Sequence, residues 1–106
     1  MKTDVKTVMG ELKRKLEALY SQRLKGVYLF GSYARHEAAE ESDVDVLIVL
    51  DQVNNYSKEI DRTSEVISAL SLEHGVTISR VFATERQWLE DQTLFFLNVR
   101  EEAVPV

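Results

Sequence analysis

Residues 43–50, DVDVLIVL, constrain this chain more than any other stretch. They are β-branched and aliphatic and acidic only at their start, the composition of a strand that enters a core from a polar end. A strand needs partners, and two further runs supply them. Val27 to Phe30 is a short apolar run stopped by Gly31-Ser32, and Val76 to Ala83 (VTISRVFA) is a third strand.

Helical patterns fill the intervals. Val5, Val8, Met9, Leu12, Leu16, Leu19 and Tyr20 recur at three- and four-residue spacings, an amphipathic helix with one buried stripe. Gly26, after the basic pair Arg23 and Lys25, suits the end of that helix. Asn54, Asn55 and Ser57 offer caps for a second helix reaching about His74, with Ile60, Val66, Ile67, Leu70 and Leu72 toward the core and Gly75 closing it. Thr84-x-x-Gln87 matches a capping box opening a short helix through Trp88 and Leu89. The tail from Thr93 to Val104 predicts another short helix that partly buries Leu94, Phe95, Leu97 and Val99. Phe95 and Phe96 cannot both face one core from it, so one of them is exposed, either by partial burial of the tail or as a contact for a partner.

The predicted order is α-β-β-α-β-α. The first two strands are joined by a short polar connection, which favours antiparallel pairing, whereas a helix joins the second and third, which favours parallel pairing. The expected fold class is α/β or α+β, a mixed three-stranded sheet flanked by helices. With 106 residues, no repeats and no linker-like segment, residues 1–106 read as a single domain.

Composition narrows function. No cysteine is present, so disulfides and thiolate zinc sites are excluded. No apolar run spans a membrane and the start of the chain is a charged, helix-like segment, so a cytoplasmic location is expected. A net charge of −5 argues against direct nucleic-acid binding, which needs a basic surface. It does not argue against a small triphosphate held by a local site and bridging cations. So small a chain has little surface for a large acceptor, so a partner protein or self-association is expected to help.

The chemistry lies in Gly31-Ser32-Tyr33-Ala34-Arg35 and Ser42-Asp43-Val44-Asp45. Antiparallel pairing puts the end of the first strand beside the start of the second, so Gly31-Ser32 and Asp43-x-Asp45 meet at one end of the sheet. Alternation directs Asp43 and Asp45 to one face. Two adjacent carboxylates repel unless a cation neutralises them, and Mg²⁺ suits a site of one or two carboxylates plus substrate phosphates. Gly31 lets backbone approach a phosphate, and Ser32 with the following amides can donate to it.

Gly31-Ser32, ten residues, then Asp43-x-Asp45 resembles the signature of the DNA polymerase β-type nucleotidyltransferase superfamily. GSYAR with SDVDVLIVL is most similar to its minimal nucleotidyltransferases, the small antitoxin-type members. The resemblance implies the nucleotidyltransferase fold and transfer of AMP from ATP, with one or two Mg²⁺ ions, to an acceptor hydroxyl. By position, Gly31 and Ser32 would bind the triphosphate, Asp43 and Asp45 would ligate metal and act catalytically, and Arg35 would contact phosphate. The family pairing implies a HEPN-type toxin as partner, AMP-modified on a tyrosine in a toxin–antitoxin system.

Two positions depart from the pattern. Active members carry a third carboxylate on the next strand, and the matching position here is Ser79, with Thr77 and Val81 on the same face. Glu73 and Glu85 only flank that strand. His36 stands where a glycine often follows the motif arginine.

Plainer readings stand beside these. A pair of acids at a strand entrance is commonplace by itself, and Ser32 could simply cap a short helix through Arg35. His36 and His74 have no metal-ligand spacing. The leading reading is an adenylyltransferase acting on a protein. The alternative is a catalytically weak or inactive nucleotide-binding module that neutralises a partner by binding: Ser79 favours it, and the retained Asp43 and Asp45 oppose it. End modification of nucleic acid, which larger superfamily members perform with added domains, ranks below both.

Overall fold

The computed structural model describes residues 4–39 and 43–106; Ser42 of the acidic motif lies outside them. Helix α1 (Val5–Tyr20) starts at Asp4, whose carboxylate accepts the Thr7 amide at 3.3 Å. It stops at Ser21, held at φ 51°, and a short 3₁₀ turn (Ser21–Arg23) leads into β1 (Leu24–Phe30). Gly26 therefore does not end the helix. It sits at an irregularity inside β1, where a Cβ would lie 2.7 Å from the ring of Tyr28. The Tyr28 ring stacks on Trp88 with centroids 4.3 Å apart, and only glycine leaves room for that placement.

The remaining elements are β2 (Val44–Leu50), α2 (Tyr56–His74), β3 (Ile78–Thr84), α3 (Glu85–Glu90), α4 (Leu94–Glu102) and β4 (Val104–Pro105). Asn55 caps α2 through the Lys58 amide, and Gly75 closes it in the left-handed region at φ 64°. The Thr84–Gln87 capping box forms, with both reciprocal bonds present.

The sheet order is β3-β2-β1-β4, with β1 antiparallel to β2 and β2 parallel to β3. The sheet is mixed and flanked by helices as expected, but it has four strands, not three. The addition is β4, which turns out of the predicted tail helix and pairs Val104 and Pro105 with Leu29 and Tyr28. A proline fits there because an edge strand leaves its nitrogen unneeded. At the other edge, the Phe82 amide of β3 donates to the Tyr56 hydroxyl at 3.1 Å. Among the described residues, no helix is long and apolar enough to cross a membrane.

Both faces of β2 are covered. Val44, Val46, Ile48 and Leu50 point into a core built with Val8, Leu12 and Leu16 of α1 and Leu70 of α2. Leu47 and Val49 point the other way, against Ala83, Phe96 and Val99. Full burial of each such side chain is worth about 2 kcal/mol. Four leucines expected to be buried wholly or in part are exposed instead: Leu19, Leu72 (85% exposed), Leu94 and Leu97. Of the two phenylalanines in α4, Phe96 is buried and Phe95 exposed, its ring packed edge-on against Phe30 at 5.8 Å.

One acid lies inside the helical layer. Glu59 of α2 is 4% exposed and accepts from the Tyr20 hydroxyl (2.8 Å), Arg23 Nη2 (3.4 Å) and Arg62 Nη1 (3.2 Å). Burial and the Glu59 carboxylate together push the Tyr20 hydroxyl pKa well up, so it stays a donor. The network ties α2 to the end of α1. Removing its centre strands three donors, so Glu59→Ala should cost about 3 kcal/mol in urea unfolding, and Tyr20→Phe about 1 kcal/mol.

Candidate functional site

β1 and β2 run antiparallel in a register that sets Phe30 opposite Asp45. The next residue, Gly31, leaves the sheet at φ 75°, and a Cβ built on it would lie 2.3 Å from Asp45 Oδ2. Glycine is thus required twice, for the left-handed backbone and for the space that the carboxylate fills. The expected meeting of the Gly31-Ser32 turn with the acidic strand start is a direct contact.

Residues 32–36 form a hydrogen-bonded turn and not a helix. It is closed by the Arg35 amide to Gly31 O (3.1 Å), His36 to Tyr33 O (3.3 Å) and Glu37 to Ser32 O (2.8 Å). The amides of Ser32, Tyr33 and Ala34, at its opening, lie outside those bonds. His36 is left-handed at φ 58°, a backbone that glycine adopts more readily than histidine.

Asp43 is exposed and Asp45 half-buried, both on the face of β2 that carries Leu47 and Val49. Neither is ion-paired among the described residues. The Asp45 pKa is raised, first by burial and then by the charge of Asp43; Arg35 opposes this and Glu102 adds to it. In β3, Ser79 is the parallel partner of Asp45 and is exposed, so the position matched to the third carboxylate is indeed adjacent to the pair and holds a hydroxyl.

Arg35 is exposed, but its guanidinium is held by two glutamates. Its Nε bonds Glu37 Oε2 at 3.0 Å and its Nη1 bonds Glu102 Oε2 at 2.7 Å. Glu102, at the end of α4, is the residue that sequence reasoning missed. The available signal was its place three residues after Val99, on the side of α4 that packs on the Asp45 face of the sheet. Elsewhere, Glu11, Glu73 and His74 gather at the junction of α1 and α2, where His74 Nε2 lies 2.9 Å from Glu11 Oε2 and links the two helices. Glu73 therefore lies at the α1–α2 junction with Glu11 and His74, and Glu85 is exposed at the start of α3.

Known proteins match this arrangement. The family described as nucleotidyltransferase domain matches residues 9–99. A Methanocaldococcus jannaschii protein named "putative protein adenylyltransferase" is 36% identical over 93 residues, which cover 87% of this chain and 87% of that relative. A solved "putative minimal nucleotidyltransferase" superposes with a TM-score of 0.63 at 24% identity, over 97% of this chain and 96% of that one. A toxin–antitoxin crystal structure with AMP-PNP gives a TM-score of 0.63 at 19% identity, over 89% of this chain and 68% of that one. At those identities the two structures speak to the fold alone.

Two outcomes follow from the geometry. A methyl group at residue 31 meets both a left-handed backbone and the Asp45 carboxylate, so Gly31→Ala should lower stability by more than about 1 kcal/mol in chemical unfolding. For Asp45, the folded pKa lies above the ordinary aspartate value of 3.8, so ionising it disfavours folding once pH exceeds that value. Asp45→Asn should therefore raise Tm at pH 7 in EDTA. The gain should shrink as pH falls through the folded pKa and vanish below 3.8, where both chains are neutral at this position.

Proposed function

The chain belongs to the nucleotidyltransferase-domain family, and on that premise we propose that it transfers AMP from Mg²⁺-bound ATP to a hydroxyl of a protein acceptor. The observation that carries this reading is the contact between Gly31 and Asp45, which sets a phosphate-accepting turn against a carboxylate pair. Gly31 and the open amides of Ser32, Tyr33 and Ala34 hold the phosphate oxygens, with the Ser32 hydroxyl as a further donor. Arg35, on the same turn, supplies a guanidinium to them.

Asp43 and Asp45 fit a divalent cation. They are oxygen donors on one face, without an ion pair to any basic side chain among the described residues, and burial of Asp45 makes its charge costly without a cation. Bound there with the triphosphate, Mg²⁺ would neutralise charge that builds up on the phosphates. The acceptor oxygen forms a bond to the α-phosphorus, the bond to the bridging α–β oxygen breaks, and pyrophosphate leaves with that electron pair. The hydroxyl proton passes to solvent, since Ser79 offers no carboxylate to take it.

The acceptor is proposed to be a HEPN-type toxin, with this chain as its antitoxin, in the cytoplasm. The name of the Methanocaldococcus relative supports a protein acceptor and the toxin–antitoxin name of a fold neighbour supports a toxin in general, while the HEPN type rests on the resemblance of the sequence motif alone. The hydroxyl at Ser79 favours one second reading, a slow or inactive nucleotide-binding module that neutralises its partner by occupying it.

Labelled ATP, Mg²⁺ and a HEPN-type toxin, followed by gel and mass spectrometry, separate the two. The enzyme reading expects AMP on the toxin, reduced about 100-fold or more by Asp43→Asn/Asp45→Asn. An unlabelled toxin that is nonetheless bound and silenced, with metal-dependent ATP binding intact, establishes the binding module instead.

A further inference from the structure

Arg35 is claimed by two needs. The proposed function gives it to the triphosphate, whereas in the ligand-free chain its fork is occupied by Glu37 and Glu102. The two carboxylates differ. Glu37 is 65% exposed and keeps its water, so its pair with Arg35 is weak. Glu102 is only 20% exposed, fixed on the sheet-facing side of α4, and meets Nη1 at 2.7 Å. Glu102 is the better-held partner and the one that loses more when Arg35 leaves.

We propose that Glu102 is a positioning residue that holds Arg35 until a triphosphate takes it, and that this exchange couples nucleotide binding to cation binding. The proposal rests on the reading of Gly31-Ser32 and Asp43-x-Asp45 as a nucleotide and metal site. Guanidinium bonds phosphate oxygens at least as well as a carboxylate, and Arg35 stands on the turn whose first amides lie outside its closing bonds. Once Arg35 turns to phosphate, the Glu102 charge is uncovered within electrostatic reach of Asp45. It already acts on Asp45 through space, in the same sense as Asp43. A third negative charge at that rim deepens the potential that a divalent cation sees. The arrangement provides from α4 part of the negative field that Ser79 does not provide from β3. By linkage, the cation then favours the state in which Arg35 is on the nucleotide.

ATP binding measured by calorimetry in EDTA and in Mg²⁺ tests this without turnover. In EDTA, Glu102→Gln should bind ATP about three- to fivefold more tightly than wild type, because Arg35 is no longer held. In an Arg35→Gln background the same substitution should have no such effect. The tightening of ATP by Mg²⁺ should be smaller in Glu102→Gln than in wild type. If Glu102→Gln fails to fold, Glu37→Gln releases the other contact of the guanidinium and should give a smaller change of the same sign. Unchanged or weaker ATP binding in the Glu102 variant, or an equal gain in the Arg35→Gln background, overturns the exchange while leaving the site reading intact. Absence of ATP binding by the wild-type chain under both conditions overturns the two together.

Discussion

The site depends on a single register. Pairing β1 with β2 so that Phe30 faces Asp45 leaves Gly31 as the first residue beyond the sheet, against the Asp45 carboxylate. A slip by one residue would turn Asp43 and Asp45 to the opposite face, into the core of α1 and α2, at the cost of burying both charges. The apolar alternation behind them blocks that slip. Val44, Val46, Ile48 and Leu50 fill one core, and Leu47 and Val49 fill the other. The hydrophobic side chains thus fix where the acids point.

Charge is divided between the two sides of the sheet. On the α1/α2 side the acid is Glu59, buried and fully hydrogen-bonded, and it holds two helices together. On the α3/α4 side the acids Asp43 and Asp45 have no basic partner among the described residues, and the one arginine nearby is shared by two glutamates. Satisfied charge belongs to the scaffold here, and unsatisfied charge to the site.

Much of this was legible in the chain. The DVDVLIVL strand, the Asn55 and Thr84 caps, the Gly75 stop and the Gly31–Asp45 meeting all rest on local chemistry or on one short connection. What escaped depends on distant partners. Glu102 meets Arg35 across 67 positions, and its spacing from Val99 gives its side of α4 without naming its partner. Two residues, Val104 and Pro105, are too few to show strand alternation, and the proline argues against a strand wherever its edge position is unknown. Leu19 and Leu72 have core spacing but are exposed, so periodicity alone misplaced them. Gly26 looked like a helix stop because glycine serves several backbone needs, and only the Tyr28 ring shows which one applies.

The two ends of the sheet bear on how this protein behaves in a crowded solution. An edge strand with free amides is a template for another chain and so a route to aggregation. At one end, β4 is only two residues long and half of it is proline. At the other, the Phe82 amide of β3 is already bonded to the Tyr56 hydroxyl and the Thr84 amide to the Gln87 side chain. Neither border offers a continuous ladder to a stranger. A chain that presents several exposed leucines is in this way kept from polymerising through its backbone.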